Sequence, residues 1–202
     1  MREKEHAIIM AVINLLGEAS PDKKLSIANV ANALDMAKST LYEYFDSKET
    51  MLYHAVKYLI QQSIDQLMSI NLASIPSFKQ RFIVHMRAIY DYSQDQKMMQ
   101  NILRHPEILS LPSTTHERLI EISQQALTTL QQRLSELIND GVKEGVLAAF
   151  PPKARLKSVE ALILGCIIIM TDPYFKGDAN RVIQDAYESI LVLINTNEQL
   201  GV

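Results

Sequence analysis

The sequence predicts an all-α protein of about nine helices, a small N-terminal three-helix domain followed by a larger helical bundle. Three observations predict it. Apolar residues recur at spacings of three and four along most of the chain, and no segment alternates apolar and polar residues between hairpin turns. Only 6 Gly and 7 Pro stand among 202 residues, too few to stitch a sandwich or barrel together. With 48% apolar residues and 20 Lys+Arg against 23 Asp+Glu, the chain can bury a core and lacks the charge imbalance of a disordered one.

The elements follow in order. Ile9, Val12, Ile13 and Leu16 stripe a first helix that stops at Ser20-Pro21-Asp22. Ser26 is placed to cap a second, whose face is Ile27, Val30, Ala31 and Leu34. Ala31 is small enough for another helix to cross closely. Asp35-Met36-Ala37 reads as a turn, and a third helix starts near Lys38 and buries Leu41 and Phe45. A fourth begins at Lys48 and runs to about residue 70, with Leu52, Ala55, Val56, Leu59, Ile60, Ile64 and Leu67 on its stripe. Phe82, Met86, Ile89 and Tyr90 mark the next long helix. Pro106 and Leu111-Pro112-Ser113 bracket a short segment. The longest helix carries Leu119, Ile122, Ala126, Leu130, Leu134, Leu137 and Ile138, and ends through Gly141, Gly145 and Pro151-Pro152. An eighth helix, about 152–174, is apolar on nearly all sides over 161–170. A ninth carries Val182, Ile183, Ala186, Tyr187, Ile190, Leu191, Leu193 and Ile194.

Residues 26–45 have the form of a helix-turn-helix, in which the second helix enters the DNA major groove. Lys38, Ser39, Thr40, Tyr42 and Tyr44 bring an ammonium, two aliphatic hydroxyls and two phenols, all able to donate to phosphate oxygens, and Lys48 stands next to them. Glu43 cannot bind phosphate, but can accept from a cytosine amino group. The plainer reading of each tyrosine alone is core packing with its hydroxyl at the surface. The constellation favours DNA. Charge does not help: residues 1–50 hold six Lys+Arg against eight Asp+Glu.

The run Lys38-Ser39-Thr40-Leu41-Tyr42-Glu43-Tyr44-Phe45-Asp46-Ser47-Lys48-Glu49, preceded by Ser26-Ile27-Ala28, resembles the DNA-binding signature of TetR-family transcriptional regulators. In outline the resemblance extends to the helix count, the length, and a Gly141-x-x-x-Gly145-x-Leu147 element after a long helix. Asp35 stands where the family usually has Gly, and Ala37 where it often has Ser or Thr. The resemblance implies a DNA-binding domain over 1–47 that uses Ser26, Lys38, Ser39, Thr40, Tyr42, Glu43, Tyr44 and Lys48. It also implies an effector-binding and dimerisation domain over 48–202. The expected function is that of a ligand-responsive regulator, acting as a repressor. It would bind a pseudo-palindromic operator in double-stranded DNA as a homodimer and be released by a small, largely apolar effector.

For the effector pocket the expected residues are His85, Met86, Ile89, Tyr90, Met99, Leu103, Gln125, Thr129, Cys166 and Met170, with methionines as adaptable walls. Helices eight and nine, too apolar for one contact surface, place Leu162, Ile169, Ile183, Tyr187, Ile190, Leu191 and Ile194 at a subunit interface. No cofactor and no metal are expected. The chain lacks His-Glu-x-x-His, Gly-x-Gly-x-x-Gly, a phosphate-cradling loop and a nucleophile elbow, which speaks against an enzyme. The single Cys, Cys166, allows no internal disulfide and reads as a small hydrophobe, in keeping with a reducing cytoplasm. The start of the chain mixes both signs of charge, unlike a signal peptide, and the run 161–170 is about half of what a membrane span needs. The rival class is a helical ligand-binding or interaction module whose DNA binding is weak or lost.

Overall fold

A computed structural model describes residues 2–18, 24–95, 97–172 and 174–196, and of 92–95, 97–100 and 171 the backbone alone. The described residues form ten α-helices, one 3-10 turn and no strand. The helices are α1 (Glu3–Glu18), α2 (Ile27–Ala33), α3 (Lys38–Tyr42), α4 (Lys48–Met68), α5 (Phe78–Asp95), α6 (Lys97–Arg104), α7 (Pro106–Leu109), α8 (Ser113–Lys143), α9 (Lys153–Thr171) and α10 (Ala179–Asn195). The helix beyond the expected nine is α7, in the short segment between Pro106 and Pro112. The His105 ring accepts from the Glu107 N–H at 3.2 Å and Pro106 opens the turn, so four residues close as a helix of their own. The expected first-helix stop at Ser20-Pro21-Asp22 lies outside the described residues. No described helix is long and apolar enough to cross a membrane.

Packing divides the chain into two units, 1–64 with 95–127, and 65–94 with 128–202. In the first, the stripe of α1 (Ile8, Ile9, Val12, Ile13 and Leu16) is buried with Val30 and Ala31 of α2, Leu41 of α3, and Phe45. Ile102, Ile108, Leu111 and Leu119 belong to the same core. The Asn101 amide also donates to the Gly17 carbonyl at 3.3 Å. The second unit buries Phe78, Phe82 and Met86 of α5 with Leu134, Leu137 and Ile138 of α8 and with Ile183, Ala186, Tyr187, Ile190 and Ile194 of α10.

Two helix ends have one construction. After α2, Asp35 takes φ 50°, the Met36 N–H bonds the Ala31 carbonyl at 2.9 Å, and the Asp35 N–H bonds that of Asn32 at 3.3 Å. After α8, Gly145 takes φ 72°, the Val146 N–H bonds the Gly141 carbonyl at 3.0 Å, and the Gly145 N–H bonds that of Val142 at 3.0 Å. Both are left-handed caps that satisfy the last carbonyls of their helix. Gly141 serves a different purpose. A Cβ there would come within 2.8 Å of the Leu147 side chain and 3.0 Å of the Phe78 ring, so this glycine lets the chain fold back over the end of α8. Glu144 accepts from the Phe78 N–H at 2.7 Å at the start of α5, and it also pairs with Arg81.

The turn before α3 can be tested directly. Asp35→Gly is expected to leave stability within about 0.5 kcal/mol, because relief of the left-handed backbone is offset by added freedom in the unfolded chain. Asp35→Val, whose β-branched side chain tolerates that backbone poorly, is expected to cost about 1–2 kcal/mol in chemical denaturation.

Candidate nucleic-acid interface and effector region

Local capping sets up the interface. The Ser26 hydroxyl accepts from the Asn29 N–H at 3.1 Å, so the role its sequence position implies is structural first. Ala37 occupies the cap of α3 with no side-chain bond. Leu41 is fully buried, which turns Lys38, Ser39, Tyr42 and Glu43 outward, with Tyr42 48% exposed. Thr40 is half-buried. Tyr44 is half-buried against the core of the first unit, and the Arg2 guanidinium lies 5.1 Å over its ring. Past Phe45 the chain is capped again, as the Ser47 hydroxyl accepts from the Thr50 N–H at 3.1 Å and starts α4.

Lys48 is not free. Its ammonium meets the Glu107 carboxylate at 2.7 Å. The next residue, Glu49, takes the hydroxyl of buried Thr115 in the first turn of α8. Arg2, Ser47 and Glu107 are thus the neighbours that sequence reading missed. Ser47, three residues before Thr50, has a local capping signal. Glu107 has none, because the pairing is made by tertiary packing.

The expected effector residues do not come together in one unit. Leu103 and Gln125 belong to the first unit, and both are exposed. His85, Met86, Ile89, Tyr90, Thr129, Cys166 and Met170 belong to the second. Met99 lies on α6, but its side chain is outside the described residues. Met86 and Met170 are buried in the core itself, with Ile89, Tyr90 and Cys166 half-buried against it. Burial and the neighbouring negative charge of Asp185 push the Cys166 thiol up, away from thiolate. A cleft of about 400 Å³ in the second unit is lined by residues 68–73 and by Arg133, Glu136, Leu137 and Asp140. None of the ten expected effector residues lines it. Among the described residues, no group of three or more His, Cys, Asp or Glu side chains is placed to hold a metal ion.

Of the residues expected at a subunit interface, Ile183, Tyr187, Ile190 and Ile194 are buried in the chain's own core. Helix α10 packs along α9, and its Tyr187 ring lies 5.8 Å from those of Phe78 and Phe82 of α5, so one face of its apolar stripe is used within the chain. Leu162 and Leu191 are half-buried and Ile169 is exposed. The apolar groups presented to solvent in this region are Leu164, Ile168 and Ile169 of α9 and Val192 of α10. A Cβ at Gly165, beside them, would meet nothing within 4 Å.

Residues 13–55 match the family model for bacterial regulatory proteins of the tetR family. That stretch runs from the middle of α1 into α4 and contains the whole helix-turn-helix. Solved structures extend the likeness to the full length. A protein from Mesorhizobium loti described as a TetR-family transcriptional regulator is 16% identical over 96% of this chain and 97% of its own, with a TM-score of 0.72. The transcriptional regulator FadR from Bacillus subtilis, solved in complex with stearoyl-CoA, is 18% identical over 94% and 97%, with a TM-score of 0.62. The superantigen PfiT is 11% identical over 97% and 98%, with a TM-score of 0.70. No curated protein matches the sequence. Residues 13–55 thus carry a tetR-family N-terminal segment, and the full-length fold is that of TetR-family structures.

His85 gives this region a pH signature. It is 6% exposed, its Nδ1 has no hydrogen-bond partner, and burial together with the nearby Arg133 guanidinium lowers its pKa to about 4. The unfolded chain takes up this proton near pH 6.5, whereas the folded chain resists until about pH 4. Stability is therefore fully present above pH 6.5 and falls as the pH drops through that window, by about 2–4 kcal/mol in all. His85→Leu is expected to remove this part of the pH dependence of the denaturation midpoint.

Proposed function

We propose that the chain is a ligand-responsive transcriptional repressor, not an enzyme, that binds a pseudo-palindromic operator as a homodimer in the cytoplasm. Residues 1–47 hold the DNA-binding domain, and 48–202 the effector and dimerisation functions. The observation that carries the reading is the outward set Lys38, Ser39, Tyr42 and Glu43 on a helix fixed by Leu41 and by the Asp35 turn, inside the segment that matches the family. Lys38, Ser39, Thr40 and Tyr42 position the protein on phosphates, helped by Ser26, Tyr44 and Lys48, while Ser39 and Glu43 read base edges. Leu164, Ile168, Ile169 and Val192, flanked by Leu162 and Leu191, meet their copies across a twofold axis and set two recognition helices about one DNA turn apart. The effector is small and largely apolar, held among the half-buried Ile89, Tyr90, Thr129 and Cys166 with His85. The acyl-CoA bound by the Bacillus subtilis protein supports an apolar ligand for this fold. Effector binding favours a dimer state that does not fit DNA, and its differential affinity sets the response.

A second reading, an interaction module with lost DNA binding, is favoured by the acidic N-terminal segment and by the likeness to a superantigen. Binding of purified protein to the duplex upstream of its own gene separates the two. The repressor reading expects affinity to fall by orders of magnitude between 50 and 200 mM salt, as several phosphate contacts require. Tyr42→Phe and Lys38→Ala are expected to weaken binding about 3- to 30-fold across sequences, and Glu43→Gln to change sequence preference. Leu164→Asp is expected to convert the dimer to a monomer in sedimentation. Salt-independent or absent binding favours the second reading.

A further inference from the structure

We propose that Glu107 is an in-chain competitor of DNA: its carboxylate holds the Lys48 ammonium, which reaches a phosphate only when α7 lets go. The inference rests on the reading that α3 and the start of α4 face the duplex. Lys48 is the first residue of α4, six positions after Tyr42 closes the recognition helix, and its charge is the next cation along the chain after Lys38. It meets Glu107 at 2.7 Å, with 32% of the lysine side chain and 14% of the glutamate side chain exposed. A pair this far withdrawn from water is screened less than one on an open surface.

The backbone that carries the carboxylate is held in place. The Glu107 N–H is bound by the His105 ring, itself 3% exposed, and the next residue, Ile108, is buried in the core of the first unit. Glu49, beside Lys48, is tied to Thr115 at the start of α8. Two consecutive residues of α4 are thus fastened to the two helices that follow α6.

Binding to DNA gains from counterions released when lysines neutralise phosphates. A lysine already neutralised by a carboxylate releases none, and a carboxylate at that position repels the phosphate. With the pair closed, DNA binding therefore lacks one contact; with it open, the contact is restored. Glu107 acts through Lys48 and is a positioning residue.

The test measures binding of the full chain to the upstream duplex over 50–200 mM salt. Glu107→Gln is expected to bind about 3- to 10-fold tighter, with a salt slope steeper by about 0.9. Lys48→Ala is expected to weaken binding less than about 3-fold in the wild type, but about 10-fold in the Glu107→Gln background. Should Glu107→Gln fail to fold, Glu107→Asp, which keeps the charge but shortens the reach, is expected to tighten binding in the same direction. Equal or weaker binding by these variants, or one Lys48→Ala penalty in both backgrounds, overturns the proposal. If Lys38→Ala still weakens binding in that case, the DNA reading stands without it. If the wild type binds no duplex at 50 mM salt, both fall.

Discussion

One left-handed residue between two short helices decides where the side chains of α3 point. Asp35, at φ 50°, lets α2 end on its own carbonyls and sends the chain across into α3. The crossing is held by Val30, Ala31, Leu41 and Phe45, all buried. Leu41 then fixes the rotation of a helix only five residues long, too short to be stable alone. The outward set of Lys38, Ser39, Tyr42 and Glu43 follows from this packing, and propensity contributes little. An aspartate can hold such a turn because its short polar side chain tolerates the left-handed region better than most.

Much of the fold was legible in the sequence because it depends on local periodicity and capping. The stripes of α1, α4, α5, α8 and α10 appear where their spacing predicts them, and Ser26 caps α2 as its position implies. The glycines after α8 mark its end, each for its own reason: Gly145 for its backbone angle and Gly141 for the close approach of Leu147 and Phe78. What the pattern could not give is which side of an apolar helix faces the chain's own core. Ile183, Tyr187, Ile190 and Ile194 look equally suited to a partner subunit, yet all four are buried in the chain's own core. Residues 161–170 present the same ambiguity, and there Leu164, Ile168 and Ile169 are the groups left facing solvent.

The site was legible in proportion to its locality. The expected DNA-facing residues from Lys38 to Lys48 lie within a dozen positions, and their helical spacing sorts the buried from the exposed. The expected effector residues are scattered over four helices and two packing units, so sequence order carries no information on which of them meet. The pairing of Lys48 with Glu107 belongs to the same class of fact. A salt bridge between distant residues leaves no periodic trace, yet here it holds one of the lysines expected at the DNA. Fold alone leaves function open, since regulators and a superantigen share this architecture. What distinguishes this chain within that fold is the outward face of α3.

Selection from a pool of random duplexes tests the role of that face most directly. The account predicts enrichment of a pseudo-palindrome whose half-sites are centred about one helical turn apart, with enrichment lost on Tyr42→Ala. A pool that emerges unenriched, or one enriched equally by the Tyr42→Ala protein, contradicts it.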